Sequence, residues 1–208
     1  IIGLMNGLGI ERFDLVGHDR GARVAHRLCL DHPDRVRRLA LLDIVPTHAI
    51  FSQTDQAIAT RFYHWFFLAQ NASFPETLIG RDPGWWLRHK LAAWAQNFEA
   101  FNPVAVDEYD RCFADPAAIH ATCEDYRAGA TADMADDAVD FGRHLIQQPT
   151  LLLWGKGFIG QRFDVMSVWQ QYATNLRGQE LNCGHFVAEE APTDTLLALQ
   201  QFLTSSNP

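Results

Sequence analysis

Asp19 lies in the short segment Gly17-His18-Asp19-Arg20-Gly21, with one glycine two positions before it and another two positions after it. This spacing is typical of a nucleophile on a sharp turn between a strand and a helix, where the backbone has to fold tightly. The N–H group after the nucleophile and the helix N-terminus both favour a negative charge at such a turn. An ionised aspartate there predicts displacement at a saturated carbon through an enzyme-bound ester. The alternative is an aspartate that only caps the helix.

Hydrolysis of such an ester requires a base that activates water. His185 follows a short predicted strand and a glycine, and we interpret it as that base rather than as a structural histidine. Asp43 stands near the end of the apolar run 36–44, so it is expected at the carboxyl edge of the sheet. There it would hold His185 in one tautomer and stabilise the imidazolium. The alternative for Asp43 is a cap of the turn before Pro46.

Arg20 and Arg23 lie three positions apart at the start of the predicted helix, so both can face the same side of the turn. The chain carries a net charge of -8, and two arginines beside a nucleophile in such a chain suggest a local anion. A substrate carboxylate would be bound by charge-assisted, bidentate hydrogen bonds. The alternative is a surface pair bridged to Asp31 or Glu11, and the arginines taken alone favour this alternative. The negative charge also argues against nucleic acid or an anionic membrane as the main partner.

The elements that must position these residues are strands and helices that alternate at both ends of the chain. Apolar runs predict strands at 10–17, 36–44 and 149–155, a further short strand is predicted at 179–181, and helical spacing predicts helices at 21–32, 165–175 and 194–203. The first residues predict the end of an amphipathic helix that stops at Gly7 or Gly9. A strand, a helix and a second buried strand form a βαβ unit, which implies a parallel sheet. The sequence therefore predicts an α/β fold with a core built from residues 1–46 and 145–208.

Residues 47–144 have a different character. They are rich in aromatic side chains, show helix-like spacing and contain no clear strand. This pattern predicts an inserted helical cap whose aromatic residues face a cavity. His64, Trp65 and Tyr126 belong to this segment, and taken alone Trp65 and Tyr126 are interpreted as part of its core.

Gly17-His18-Asp19-Arg20-Gly21-Ala22-Arg23 resembles the nucleophile motif of the haloacetate and fluoroacetate dehalogenases, within the α/β-hydrolase superfamily. The similarity continues through the segments at 41–44 (LLDI), 63–65 (YHW), 123–129 (CEDYRAG) and 184–186 (GHF). It spans almost the whole chain in the family's order, which makes it more specific than any single motif.

The resemblance implies hydrolytic dehalogenation of a haloacetate, fluoroacetate or chloroacetate, to glycolate and halide, without a cofactor or a metal. It implies these site residues: Asp19, Asp43 and His185 in catalysis, Arg20 and Arg23 on the substrate carboxylate, and His64, Trp65 and Tyr126 on the departing halide. The family also begins with several strands and a loop that supplies a second oxyanion-hole donor. This sequence contains neither, so we expect an N-terminally truncated member of the family.

Two other functions share some of these features. Epoxide hydrolases and haloalkane dehalogenases also use an aspartate nucleophile, but they commonly have tryptophan where Arg20 stands, and their substrates have no carboxylate. Epoxide opening also favours two phenols in the cap, and only Tyr126 is clearly placed for that role. The third alternative is an inactive truncated fragment, which upstream sequence with a further βαβ segment and a His-Gly loop would exclude.

The four cysteines, Cys29, Cys112, Cys123 and Cys183, form no C-x-x-C pair and show no metal-ligand spacing with histidine. We expect free, buried thiols in a reducing compartment. No secretory signal and no apolar run of membrane-spanning length is visible, so a cytoplasmic protein is expected. The expected partners are a small halogenated carboxylate and water, and a homodimer is compatible with the sequence.

Overall fold

The computed structural model describes residues 1–205 of the 208-residue chain. The chain divides into two compact units. The first combines Ile1–Pro46 with the chain from Asp140 onward, and the second is Thr47–Val139. No helix within the described residues is long and apolar enough to cross a membrane.

In chain order the elements are α1 (Ile2–Gly7), β1 (Phe13–His18), α2 (Arg20–Asp31), β2 (Val36–Leu42), α3 (Thr47–Ser52), α4 (Gln56–Arg61), α5 (Tyr63–Leu68), α6 (Phe74–Ile79), α7 (Pro83–Trp94), α8 (Pro103–Phe113), α9 (Pro116–Ala130), α10 (Ala132–Asp140), β3 (Thr150–Gly155), α11 (Val165–Trp169), β4 (Leu176–Leu181), α12 (Val187–Glu190) and α13 (Pro192–Thr204). The predicted alternation of strands and helices at both ends is confirmed, as is the helix that ends at Gly7.

The strands form one parallel sheet in the order β1-β2-β3-β4. Of the two inner strands, β3 is almost wholly buried and β2 is buried except at Arg37 and Arg38, because helices cover both faces of such a sheet. β4 lies at the edge and is mostly exposed, so its sequence, LRGQEL, lacks the apolar run that marks the others. For this reason the prediction of a strand at 179–181 recovered only its second half.

The prediction of one helix over 165–175 is wrong in its second half. α11 ends at Trp169, and the chain then turns so that Ala173 pairs with Ile146 as an isolated parallel bridge. Trp169 is fully buried, and its indole N–H donates to the carbonyl oxygen of Ile44 at 2.9 Å. This buried hydrogen bond fixes the end of the helix, and periodicity alone does not reveal it.

Apolar side chains from the sheet and the last helix form the core beneath the carboxyl edge of β2 and β3. Leu42, Leu153 and Leu181 project from three neighbouring strands, and Ala198 and Phe202 of α13 pack on them. Burial of side chains of this size contributes about 1.5–3 kcal/mol each. The ends of the strands are thereby held firmly, and the functional residues extend from those ends.

In the second unit, helices begin where proline follows a capping residue. α7, α8 and α9 each have proline in the first turn, preceded by Asp82, Asn102 and Asp115, whose side chains accept from backbone N–H groups. The described part of this unit contains helices and no strand, as predicted. Of its aromatic residues, Trp65 is buried, whereas Trp85 is 62% exposed, so the expectation that the aromatic residues of this segment face a cavity does not hold for Trp85.

Candidate active site

Asp19 occupies the turn between β1 and α2 in a strained backbone conformation, with φ 49° and ψ -121°. A Cβ atom on Gly17 would lie 2.5 Å from the carbonyl oxygen of Gly21 and 2.7 Å from Cα of Ala22, so only glycine allows this approach. A Cβ atom on Gly21 would meet open space. Gly17, two positions before the aspartate, is therefore the residue that has to be small, because strand and helix cross there.

Asp43 lies just beyond β2 and is the second residue other than glycine with positive φ, at 51°. Its buried carboxylate accepts from the backbone N–H of Gly155 at 2.8 Å through Oδ1. The same carboxylate accepts from Nδ1 of His185 at 2.6 Å through Oδ2. Backbone strain at non-glycine residues persists only where the surroundings enforce it, and it concentrates at functional sites.

His185 bridges the two aspartates. While its Nδ1 atom bonds to Asp43, its Nε2 atom lies 3.4 Å from Oδ2 of Asp19. The buried ring lies between His18 and Phe158, whose ring centroids are each 4.6 Å from that of His185. The structure therefore brings together the three residues expected to act in catalysis, in the order carboxylate, imidazole, carboxylate.

The charges of these groups are strongly coupled. Burial disfavours the imidazolium of His185, but the charges and hydrogen bonds of Asp19 and Asp43 outweigh it and raise the pKa of His185 to about 9. Burial likewise opposes ionisation of Asp19, yet His185 holds the pKa of that carboxyl below its usual range. For Asp43, burial dominates and raises the pKa. At neutral pH the resting site is therefore an ion pair of ionised Asp19 and protonated His185.

The two arginines lie in the first turn of α2. Arg23 is buried, and its Nη1 atom donates to the carbonyl oxygen of Val45 at 2.9 Å. Its positive charge contributes to the lowered pKa of Asp19. Arg20 is half-buried. Asp31, considered above as a bridging partner of this pair, is bound by Arg27 at 2.6 Å.

The expected halide ligands lie together within the helical unit. His64 and Trp65 are buried on α5, and their ring centroids lie 5.6 Å and 5.8 Å from that of Tyr126 on α9. Trp94 lies against His64 with a centroid distance of 4.6 Å. Each of the three predicted ligands carries an N–H or O–H donor. The rings of His64 and Trp65 both contact that of Tyr126, as expected for a core, and all three lie within one part of the helical unit.

Lys90 of the helical unit was missed by sequence analysis. It is buried, with its Nζ atom 3.7 Å from the ring centroid of Tyr63 and 4.7 Å from that of Trp86. Burial lowers the pKa of Lys90 to about 8, and the nearby charge of Arg61 acts in the same direction. A lysine on a helix is normally expected to be exposed, so the sequence did not indicate that Lys90 is buried.

One group of side chains in the helical unit has donor atoms close enough to share a metal ion, namely Glu76, His120 and Glu124. Arg127, however, binds both oxygens of Glu76 at 2.8 Å and 3.0 Å and also binds Glu124 at 2.6 Å. The guanidinium of Arg127 holds Glu76 in a bidentate ion pair, which lowers the pKa of Glu76 to about 2. We interpret the group as an ion-pair network between α6 and α9.

The thiols differ in part from expectation. All four cysteines are free, and Cys29, Cys123 and Cys183 are buried, but Cys112 is exposed. Cys112 lies near the end of α8, where its thiol donates to Glu108. The expectation of buried thiols is therefore wrong for this residue, because the face of α8 that carries it is polar.

The chain was compared with known proteins. A family model described as the alpha/beta hydrolase fold matches residues 2–192. The chain is 44% identical over 205 residues to a fluoroacetate dehalogenase of Burkholderia sp, covering 98% of this chain and 67% of that protein. It is 31% identical over 195 residues to a soluble epoxide hydrolase of Corynebacterium sp. (strain C12), covering 91% and 66% of the two chains.

Among solved structures, that of ALR0039 from Nostoc sp PCC 7120, described as an alpha/beta hydrolase, superposes with a TM-score of 0.95 at 55% identity. The match covers 98% of this chain and 70% of that one. The chain thus spans about two thirds of the length of the two curated relatives named above.

Proposed function

The chain belongs to the α/β-hydrolase family, and from this premise we propose that it hydrolyses the carbon–halogen bond of a haloacetate through an ester formed on Asp19. The observation that carries the proposal is the arrangement around His185. Its Nε2 atom lies 3.4 Å from Asp19, and its Nδ1 atom is bound to Asp43 at 2.6 Å. A carboxylate in the nucleophile position suits attack on a saturated carbon.

In the first step an oxygen of Asp19 attacks the carbon that bears the halogen. The electron pair of the carbon–halogen bond leaves with the halogen as a halide ion, and the glycolate unit remains bound to Asp19 as an ester. Once the charge of Asp19 is lost in the ester, His185 gives its proton to solvent. In the second step the neutral imidazole takes a proton from water, and the hydroxide attacks the carboxyl carbon of the ester. Collapse of the oxyanion releases glycolate, which takes the proton of the new carboxyl group, so that Asp19 is again ionised; His185 keeps the proton from water, and the resting ion pair is restored. Asp43 stabilises the imidazolium during this step.

Two sets of residues give the proposal its substrate class. Arg20 and Arg23, in the turn after the nucleophile, would bind the substrate carboxylate, a role that the positive charge of Arg23 near Asp19 supports. His64, Trp65 and Tyr126 would donate hydrogen bonds to the halide, which their clustering within the helical unit supports. The relative with 44% identity is a fluoroacetate dehalogenase, and this favours the same class for the present chain.

Epoxide hydrolysis is the second candidate, because an epoxide can be opened by the same pair of aspartate and histidine. The 31% identity to a soluble epoxide hydrolase favours it. The two candidates differ in the substrate's charge. Arginine at position 20 adds a positive charge beside the nucleophile, and a neutral epoxide gains nothing from that charge.

Product analysis separates the two. The chain is incubated with fluoroacetate, chloroacetate and a neutral epoxide such as styrene oxide, and free halide, glycolate and diol are measured. We expect halide and glycolate in equal amounts, no diol, and no turnover by Asp19→Asn, since an amide is a poor nucleophile. Asp31→Asn, a matched change at the far end of α2, should keep its activity. Diol without halide would replace the proposal with the second candidate, and halide release by a verified Asp19→Asn protein would exclude the mechanism.

A further inference from the structure

The segment that connects β4 to α12 carries His185 and has no repeating secondary structure. The carboxylate of Glu190, at the end of α12, spans this segment. Its Oε2 atom accepts from the N–H of Gly184 at 3.1 Å, and its Oε1 atom accepts from the N–H of Phe186 at 3.2 Å. One side chain therefore holds the backbone amides on both sides of His185.

The backbone of His185 has further constraints. Its carbonyl oxygen accepts from Nε2 of His18 at 2.9 Å and from the N–H of Val187 at 3.1 Å. On another side, a Cβ atom on Gly155 would lie 1.8 Å from the carbonyl oxygen of Gly184, so the two backbones are in direct contact. The carbonyl oxygen of His185 thus accepts from two donors, whereas the N–H groups of Gly184 and Phe186 both donate to the carboxylate of Glu190. Loss of Glu190 should therefore disturb the segment more than loss of His18.

We propose that Glu190 is a positioning residue, which fixes the backbone of His185 so that the imidazole stays aligned with the ester on Asp19. This inference rests on the proposed two-step reaction. The first step needs only the carboxylate of Asp19, whereas the second needs His185 to activate water from a defined position. Glu190 therefore supports the hydrolysis of the ester and has little effect on its formation.

An effect of Glu190 on ester hydrolysis alone can be recognised in the steady-state constants kcat and KM. When ester hydrolysis limits turnover, slowing it lowers kcat and KM by the same factor, and kcat/KM, which reports the steps up to ester formation, stays constant. The ester then accumulates on Asp19 during turnover. A general loss of folding behaves differently, because it lowers kcat/KM together with kcat.

The test compares Glu190→Ala and Glu190→Gln with the control Glu189→Gln, a matched change at the preceding residue. Misplacement of a catalytic group by about 1 Å can lower a rate on the order of a hundredfold. We expect kcat on chloroacetate to fall roughly tenfold or more in Glu190→Ala, with kcat/KM nearly unchanged and the glycolyl ester detectable by mass spectrometry. Glu190→Gln should lose less, because its amide oxygen still accepts one hydrogen bond. An unchanged kcat, or an equal loss in kcat and kcat/KM, would overturn the inference.

A second readout needs no substrate. Amide hydrogen exchange at Gly184 and Phe186, and the titration of His185 followed by NMR, report directly on the segment. In Glu190→Ala we expect faster exchange at both amides, in Glu190→Gln faster exchange at one of them, and in both variants a changed pKa of His185. Unchanged exchange and titration would refute the positioning role, even if the wild-type protein releases halide. Conversely, changed exchange in a protein whose wild type releases no halide would refute the proposed function and leave Glu190 as a tether of His185.

Discussion

His185 lies between two carboxylates, and its pKa therefore depends on whether Asp19 is charged. In the resting site the ionised Asp19 helps to raise the pKa of His185 to about 9. In the proposed reaction, ester formation would remove the charge of Asp19 and thereby lower the pKa of His185, which favours a neutral imidazole for the second step. The proposed nucleophile would thus control the protonation of the base that later releases it.

This coupling predicts that Asp19→Asn lowers the pKa of His185, since asparagine has similar volume but no charge. NMR titration of the imidazole in both proteins measures the effect. Asp31→Asn, which removes a distant carboxylate on the same helix, should leave the titration unchanged. A pKa that stays near 9 in Asp19→Asn would mean that Asp43 alone sustains the imidazolium.

Replacement of the base should separate the two chemical steps. We expect His185→Asn to form the ester and then to stop, because attack by Asp19 requires no proton transfer whereas hydrolysis does. Mass spectrometry after addition of chloroacetate should find Asp19 carrying a glycolyl group. An unmodified Asp19, with substrate demonstrably bound, would contradict the two-step reaction.

In the proposed function, the two arginines bind the carboxylate of the substrate. If Arg23 binds the carboxylate, Arg23→Leu should lower kcat/KM for haloacetates by roughly tenfold to a hundredfold, since a hydrogen bond to a charged group contributes about 1.5–3 kcal/mol. The same change should do little to a neutral haloalkane or epoxide, if either is accepted.

Arg23 is also buried and bonded to the carbonyl oxygen of Val45, so the thermal stability of the variant must be measured in parallel. Arg37→Leu, which removes an exposed guanidinium, serves as the control. Equal losses on charged and neutral substrates would mean that Arg23 only supports the turn.

At the scale of elements, the link between α6 and α9 depends on Glu76. The side chains of Glu76 and Arg127 are only 14% and 16% exposed, and they bond through both carboxylate oxygens. Glu76→Gln breaks this charged pair, and we expect a loss of about 1.5 kcal/mol or more in the free energy of unfolding, measured by denaturant titration. Glu108→Gln removes an exposed pair with Arg111, so it should change stability little. Similar effects of both changes would show that burial of the pair is unimportant.

The elements differ in how far sequence could predict them. β2 and β3 were recognisable because buried parallel strands are continuous apolar runs, and the Asp19 turn because Gly17 has to be glycine. β4 was only half recognised, since an edge strand is exposed and polar. Glu190 was not found at all, because it acts on backbone N–H groups, which leave no pattern of residue types. His18 could have been found, since it lies inside the nucleophile segment.

At the scale of the whole molecule, a buried histidine should make the fold sensitive to acid. Burial lowers the pKa of His26 to about 4, and the charges of Arg27 and Arg23 act in the same direction. Its ring packs against Trp169 and Tyr172, and its Nε2 atom has no hydrogen-bond partner among the described residues. An unfolded chain binds this proton near pH 6.5 and the folded chain only near 4.

The folded state therefore loses stability as the pH falls through that window, by about 3 kcal/mol from His26 alone once both states are protonated. We expect the free energy of unfolding, measured by denaturant titration, to decline less between pH 7 and pH 4 in His26→Phe than in the wild type. His32→Phe, which replaces an exposed histidine, should retain the wild-type slope. Parallel slopes for wild type and His26→Phe would assign the acid sensitivity to other groups.

The positive φ angles of Asp19 and Asp43 have a consequence for protein engineering. Each strained residue costs on the order of 1–3 kcal/mol, and glycine would relieve much of that strain. A laboratory selection for heat resistance alone would therefore favour glycine at the two positions that the proposed mechanism assigns to aspartates, and under that mechanism such clones would be inactive. Thermostable variants of this chain should be sought with both codons held constant, or with the proposed halide release as a simultaneous criterion.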